Sequence, residues 1–490
     1  MRTSWGTASG GTNAAGWHRP LGWSVCRVAL ACSLAALLAS CATYTPKPID
    51  PAQSAQTFAA RRLDAPELRA EVERAVPGIA TNWPPSEWNR AQLLAVALTQ
   101  SPQLSVARAE IGAALAHETR AGETPSPTLG LQSEYARHEE DHWLYGLSFE
   151  FLLLQPGMRK LEIELARQET AGTRAQLMQR TWEVRRALIT ALSDAEHARR
   201  RLELLTQLAA AQDHLLQTQQ QRVNAGEDTP TDLAIVRAAR IEIEQQHAQA
   251  RSDAVVAQAA IAASLGMPPA ALDGVVVAWP EWGNPPAVDE ESLKSSREQA
   301  LLSRADLAAA IGEYAQAETK LKQAIARQYP QFDFRPGYYW DHGIAKWPFD
   351  VGLTLPLFNR NEGEIAESTA NRDVAGQRML ALQAEIYGEI EAAARAERIA
   401  RENVDAAQRR SDEARQQLEH ADLALRMGAT DRMERSSADI VALRAGLEAL
   451  QARAQQQAAR DALEDALHVP LSGPELALVA SAPADSGAER

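Results

Sequence analysis

From Trp143 the chain alternates strictly: Trp143, Tyr145, Leu147, Phe149, Phe151 and Leu153 take every second position, with Leu144, Gly146, Ser148, Glu150 and Leu152 between them. Period two with one apolar face is the signature of a strand. Leu129, Leu131, Ser133 and Tyr135 alternate in the same way with Gly130, Gln132, Glu134 and Ala136, and the pattern returns at Trp347, Phe349, Val351, Leu353, Leu355 and Leu357. These stretches predict two strand hairpins, at about 127–154 and 331–358. The remaining body, rich in Ala, Gln, Glu, Arg and Leu, predicts helices at about 88–122, 158–223, 230–265, 290–327, 362–426 and 433–468. A helix of about 65 residues reaches on the order of 100 Å, and is stable only when laid against others in a coiled-coil-like array.

The elements repeat. Gln100 to Ala107 aligns with Ser303 to Ala310 at an offset of 203, the strand from Trp143 with that from Trp347 at 204, and Gly226 to Asp232 with Gly428 to Glu434 at 202. Three matches in order make the chain two copies of one unit. The copies span 88–266 and 290–470. Met267-Pro-Pro269, Trp279-Pro280 and Asn284-Pro-Pro286 mark a linker at 267–289. The expected flanks are a signal at 1–40, an extended segment at 41–87 and a flexible tail at 471–490.

Charge and motifs narrow the function. The chain of 490 residues carries a net charge of −14, and removing residues 1–40 with their three arginines would leave −17, which argues against nucleic acid. No phosphate loop or Gly-rich dinucleotide fingerprint is present. His138-Glu-Glu-Asp-His142 matches the zinc-protease pattern H-E-x-x-H, which works only on a helix, where both imidazoles share a face and the intervening glutamate, here Glu139, activates water. Here strands flank the motif, so it is expected to be a charged hairpin turn. At the offset of 204, His342 is the counterpart of His138, and nothing else of the motif recurs. The other histidines stand singly along helices, and no metal site, cofactor site or catalytic residue emerges.

The three cysteines are Cys26, Cys32 and Cys41. An apolar run from Val28 to Ala39 follows Arg19 and Arg27, the pattern of a secretory signal. Leu38-Ala-Ser-Cys41 resembles a bacterial lipobox, which implies acylation of Cys41 and anchoring in lipid; by the same resemblance Ala42 favours the outer membrane.

Six of the seven phenylalanines fall in the two hairpins. Strands of ten or eleven residues with one apolar face suit a tilted crossing of a bilayer. The expected membrane-facing residues are Trp143, Tyr145, Phe149, Phe151, Trp347, Phe349, Val351 and Leu353. Gly146, Glu150, Asp350, Gly352 and Thr354 would then face a wet lumen, and Pro336 must bend or unpair its strand. Four strands cannot close a barrel, so the chain must oligomerise: a dimer gives eight strands, a trimer twelve, and a pore that continues into a sheath of helices favours the trimer or larger.

Together these features resemble the TolC-like outer membrane efflux protein family. The motif that carries the likeness furthest is Leu355-Pro-Leu-Phe-Asn-Arg-Asn-Glu-Gly-Glu-Ile-Ala366, similar to members that serve tripartite pumps, the heavy-metal branch among them. Leu93 to Leu98 with Ser101-Pro102 and Leu104 resembles the family's first helix. The resemblance implies a mainly α trimer in which a twelve-stranded outer membrane β-barrel continues as a periplasmic α-helical barrel. It also implies a periplasmic adaptor protein and an inner-membrane transporter as partners. Carried over by position, the adaptor contacts lie at two helix-turn-helix tips, with Arg222, Gly226 and Asp232 in one and Arg426, Gly428 and Glu434 in the other. Asp232 and Glu434 are the gate candidates; they also suit helix N-termini as dipole-complementing acids. Ser437 stands where the family often has a second acid.

Three other readings compete with efflux: a channel for type I protein secretion, a zinc peptidase through His138, Glu139 and His142, and a lipid-anchored stalk with no pore.

Overall fold

The computed structural model describes residues 44–476 apart from Leu154, Pro156 and Pro356. The expected signal peptide, Cys41 and residues 477–490 lie outside the described residues. The chain divides into two units, one up to Thr57 and one from Phe58. Residues 44–50 are exposed coil leading into α1 (Pro51–Ala59), none of whose residues is buried.

In the second unit, α2 (Pro66–Ala75) precedes α3 (Arg90–Gln100) and α4 (Pro102–Gly122). Strands β1 (Thr128–Tyr135) and β2 (Trp143–Leu153) follow. Then come α5 (Met158–Ala225, 68 residues) and α6 (Pro230–Ser264). After a linker with one 3-10 turn the order recurs as α7 (Glu290–Ser303), α8 (Ala305–Ala326), β3 (Gln331–Asp341), β4 (Ile344–Lys346), β5 (Phe349–Thr354), α9 (Glu362–Arg426, 65 residues) and α10 (Arg432–Leu467).

Two expected helices are each split. Pro102 cannot donate into α3, and Ser101 caps α4 by accepting from the Leu104 amide, so the chain turns there. Arg304 makes the equivalent break between α7 and α8, held by Asp306, Glu389 and the Ala466 carbonyl. The segment before residue 88 is not extended throughout: Leu63, Leu68, Val72 and Trp88 join a core with Leu93, Leu188, Leu192, Ile261, Leu265, Trp279 and Trp282. Burying such a side chain contributes about 1.5–3 kcal/mol. Tail residues up to Leu476 dock as well, since Glu475 is fully buried.

α10 packs between α5 and α9, whereas α6 packs along α5 and has no comparable contact with α9. Alanines at these contacts, such as Ala250, Ala407, Ala449 and Ala452, let the long helices approach closely. The outer side of α6 leaves Ile235, Ile241, Val255 and Val256 exposed, and α9 does the same with Leu380, Tyr387 and Ile399. Such faces ask for a partner copy.

The strands form one antiparallel sheet, ordered β1-β2-β3, with β4 and β5 both on β3. β2 and β3 stay in register on both sides of Pro336, but the pairs between Ser148–Gly337 and Phe151–Phe334 are missing from the ladder. Proline has no N–H to give there. β4 and β5 are separated at Trp347-Pro348, so Trp347 is not a strand residue as expected. Its ring packs edge-on against Tyr338 at 4.8 Å instead. The last strand also stops at Thr354, short of Leu357.

Candidate functional site at the helical tips and the sheet

At the first tip, α5 stops because Gly226 takes a left-handed φ of 78°, and the Glu227 amide reaches back to the Arg222 carbonyl at 2.9 Å. That is the glycine-stopped end in which the orphan carbonyls are satisfied. Thr229 and Pro230 restart the chain: Thr229 and Asp232 form a reciprocal capping box, with the Asp232 amide donating to Thr229 Oγ1 at 3.3 Å and the Thr229 amide to Asp232 Oδ2 at 3.1 Å. At the second tip Gly428 has a φ of 74°, and Asp431 caps α10 by accepting from the Glu434 amide at 2.9 Å. Glu434 is also bonded to the Thr430 hydroxyl.

Arg222 organises this end of the molecule. Its guanidinium grips Asp228 with Nε donating to Oδ2 at 2.6 Å and Nη2 to Oδ1 at 3.1 Å, and Gln219 adds a third bond at 3.0 Å. The Arg222 hydrogen bond holds the Asp228 carboxyl below the usual carboxylate range. Nη1 lies 3.5 Å from Asp431 of the other tip. Arg426, two residues before Gly428 in the second tip, is exposed and has no ion pair among the described residues.

The structure therefore brings Arg222 and Gly226 together with Asp228 and Asp431, and places Asp232 and Glu434 in the first turns of α6 and α10, Asp232 as a member of the capping box and Glu434 with its amide on the Asp431 cap. Sequence reasoning passed over Asp228 and Asp431. The spacing Asp431-x-x-Glu434 before an apolar run was the available signal for the second; nothing local marks the first, since its partner lies six residues back across the turn.

In the sheet, the register puts Trp143, Tyr145, Phe149 and Phe151 on one face, with Phe349, Val351 and Leu353 on the same side through β3. All seven are exposed in the single chain. Gly146, Glu150, Asp350, Gly352 and Thr354 take the opposite face.

His138 to His142 is a turn and not a helix, so the zinc-protease geometry does not form. His342 and Gly343 make the tight β3–β4 turn with φ values of 45° and 90°, and His342 Nδ1 lies 2.6 Å from the Asp141 carbonyl. The two turns thus touch side by side. Among the described residues no group of three or more His, Cys, Asp or Glu is placed to hold a metal.

The fold is that of several solved outer membrane channels. A membrane protein from Pseudomonas aeruginosa matches with a TM-score of 0.64 at 20% identity, covering 77% of this chain and 93% of its own. VceC from Vibrio cholerae matches with a TM-score of 0.63 at 18% identity, covering 78% and 97%. The open state of the Neisseria gonorrhoeae MtrE outer membrane channel matches with 0.60 at 18%, covering 78% and 89%. No curated protein matches the sequence. The outer membrane efflux protein model, in contrast, matches residues 93–267 and 297–468, most of the chain and both copies of the repeated element order, and the chain belongs to that family.

Proposed function

We propose that this protein is the outer membrane channel of a tripartite efflux pump that exports metal ions or small toxic compounds, anchored in lipid through an acylated Cys41 and gated at its two helical tips. The coarser part follows from the family: its channels are trimeric, non-enzymatic, located in the outer membrane, and act with a periplasmic adaptor and an inner-membrane transporter. Energy then comes from the inner-membrane partner, and the chain's own task is a passive path.

The observation that carries the reading is one chain holding both a two-faced sheet and paired helical tips. The apolar face from Trp143 to Phe151 would meet lipid, and the opposite face would line water. The Arg222–Asp431 tie joins the tips within one copy, so a closed entrance can be held by charge and opened by adaptor contacts that replace it. Arg222, Gly226, Asp232, Arg426, Gly428 and Glu434 are the proposed adaptor and gate residues.

Deleting the gene in a strain without redundant channels and exposing it to metals, dyes and antibiotics tests the export role. Raised sensitivity to at least one class, restored by the intact gene, is expected. Unchanged sensitivity across the panel would contradict it.

A further inference from the structure

The polar face of the sheet has an uneven charge distribution, and the unevenness is greatest at one level. Near the turns, Asp341 is paired with Lys346, and Glu134 in the same row adds a single further acid. At the helix end, one row across the sheet carries Thr128, Glu150, Arg335 and Asp350, because Thr128 pairs with Glu150 and Arg335 with Asp350. Glu150 and Arg335 are opposite in register where the β2–β3 ladder opens at Pro336, and their side chains meet: Arg335 Nη2 is 2.9 Å from Glu150 Oε1. Asp333, one row closer to the helices, is 3.1 Å from the same nitrogen. Asp350 has no ion pair among the described residues.

One guanidinium thus stands among three carboxylates, leaving two surplus negative charges per chain and six in the trimer. Glu150 and Arg335 keep 43% and 50% of their side chains exposed, so they project into the space the sheet encloses and are not locked in protein. A ring of like charge in a water-filled pore with low-dielectric walls concentrates counter-ions and rejects co-ions. With a screening length of about 8 Å at physiological salt, only charges on this belt act on an ion passing it, and the helical tips lie far beyond that reach.

We infer that Arg335 with Glu150, Asp333 and Asp350 forms the charge belt that sets the sign of what crosses the barrel, favouring cations and cationic compounds over anions. Arg335 sets the size of the effect, since it offsets one of the three acids and holds Glu150 and Asp333 toward the lumen. This rests on the channel reading above and adds a selectivity determinant separate from the tips.

The test is the K⁺/Cl⁻ permeability ratio of the purified full-length trimer in planar bilayers under a KCl gradient. Arg335→Gln is expected to raise the ratio about twofold or more, and the triple variant Glu150→Gln, Asp333→Asn, Asp350→Asn, which leaves Arg335 as one net positive charge per chain on the belt, to bring it below one. Asp350→Asn alone, which breaks no ion pair among the described residues, should lower the ratio even if the other variants fail to assemble. Conducting trimers whose ratio does not move in Asp350→Asn and in the triple variant would overturn the belt while leaving the channel intact; trimers of the unaltered protein that do not conduct would overturn the channel reading itself.

Discussion

Arg222 of the first tip lies 3.5 Å from Asp431 of the second while gripping Asp228 in its own turn. The contact is partly exposed, so each pair on its own is weak, and the tie depends on one guanidinium serving both tips. Asp431→Asn is expected to raise the open probability of the reconstituted channel, by no more than about fivefold. Arg222→Gln should do more, because it also frees Asp228. Arg426→Gln, which breaks no ion pair among the described residues, separates the Arg222–Asp431 tie from a general effect of tip charge. The pH dependence has a definite sign. Asp228 titrates below its usual range in the fold, so its bond to Arg222 is intact above about pH 4 and is lost only as pH falls below that. Open probability should therefore be level from pH 8 to pH 5; a rise within that window would contradict the assignment.

Gly226 and Gly428 have open space around the position of a Cβ, so crowding does not forbid a side chain; the left-handed backbone does. A β-branched residue there costs about 1–2 kcal/mol and reshapes the turn. Gly226→Val or Gly428→Val is expected to weaken crosslinking to the periplasmic adaptor while the trimer persists in native gels. Undiminished crosslinking would remove the tips from the docking surface.

Asp461 on α10 is pushed up to about 7, chiefly by burial, although Gln457 donates to it at 2.9 Å. A raised carboxyl favours the protonated fold: between about pH 4 and its folded value the native state holds more protons than the unfolded chain, and stability falls as pH rises through that window. Asp461→Asn keeps the Gln457 partner and removes the charge. Its Tm in detergent should exceed that of the unaltered protein by several degrees at pH 8 and by clearly less at pH 5. An equal shift at both would refute the cause.

How much of this was legible beforehand depended on whether the signal was periodic or local. The long helices, the two hairpins and the two glycine tips announce themselves through period, length and punctuation. The same alternation, extended through Trp347, overran the break at Pro348, because apolar spacing persists where the backbone can no longer pair. Leu63, Leu68 and Val72 were passed over as core, since a short segment beside a linker shows no period of its own. His138 to His142 went the other way: a literal motif was correctly outweighed by the strands around it. Ties such as Arg222–Asp431 join positions more than two hundred residues apart, and only the fold brings them together.

Glu475 anchors the last described segment, which runs to Leu476. Its carboxylate lies 3.2 Å from Arg185 and 3.4 Å from Arg90, with Glu464 2.5 Å from the same Arg185 nitrogen, and all four side chains are buried. Removing one partner of such a group leaves buried charge unanswered, at about 3–5 kcal/mol. Glu475→Gln is expected to lower the Tm markedly, and a truncation after Leu471 to do the same. A Tm unchanged in both would show that this segment contributes nothing to the fold.

A gated conduit built from the two-faced sheets and paired tips of three copies is open to a direct check by single-channel recording. The purified trimer should insert into planar bilayers and give discrete, mostly closed conductance steps, with openings made more frequent by Arg222→Gln. A folded trimer that gives no steps in either form would contradict the account.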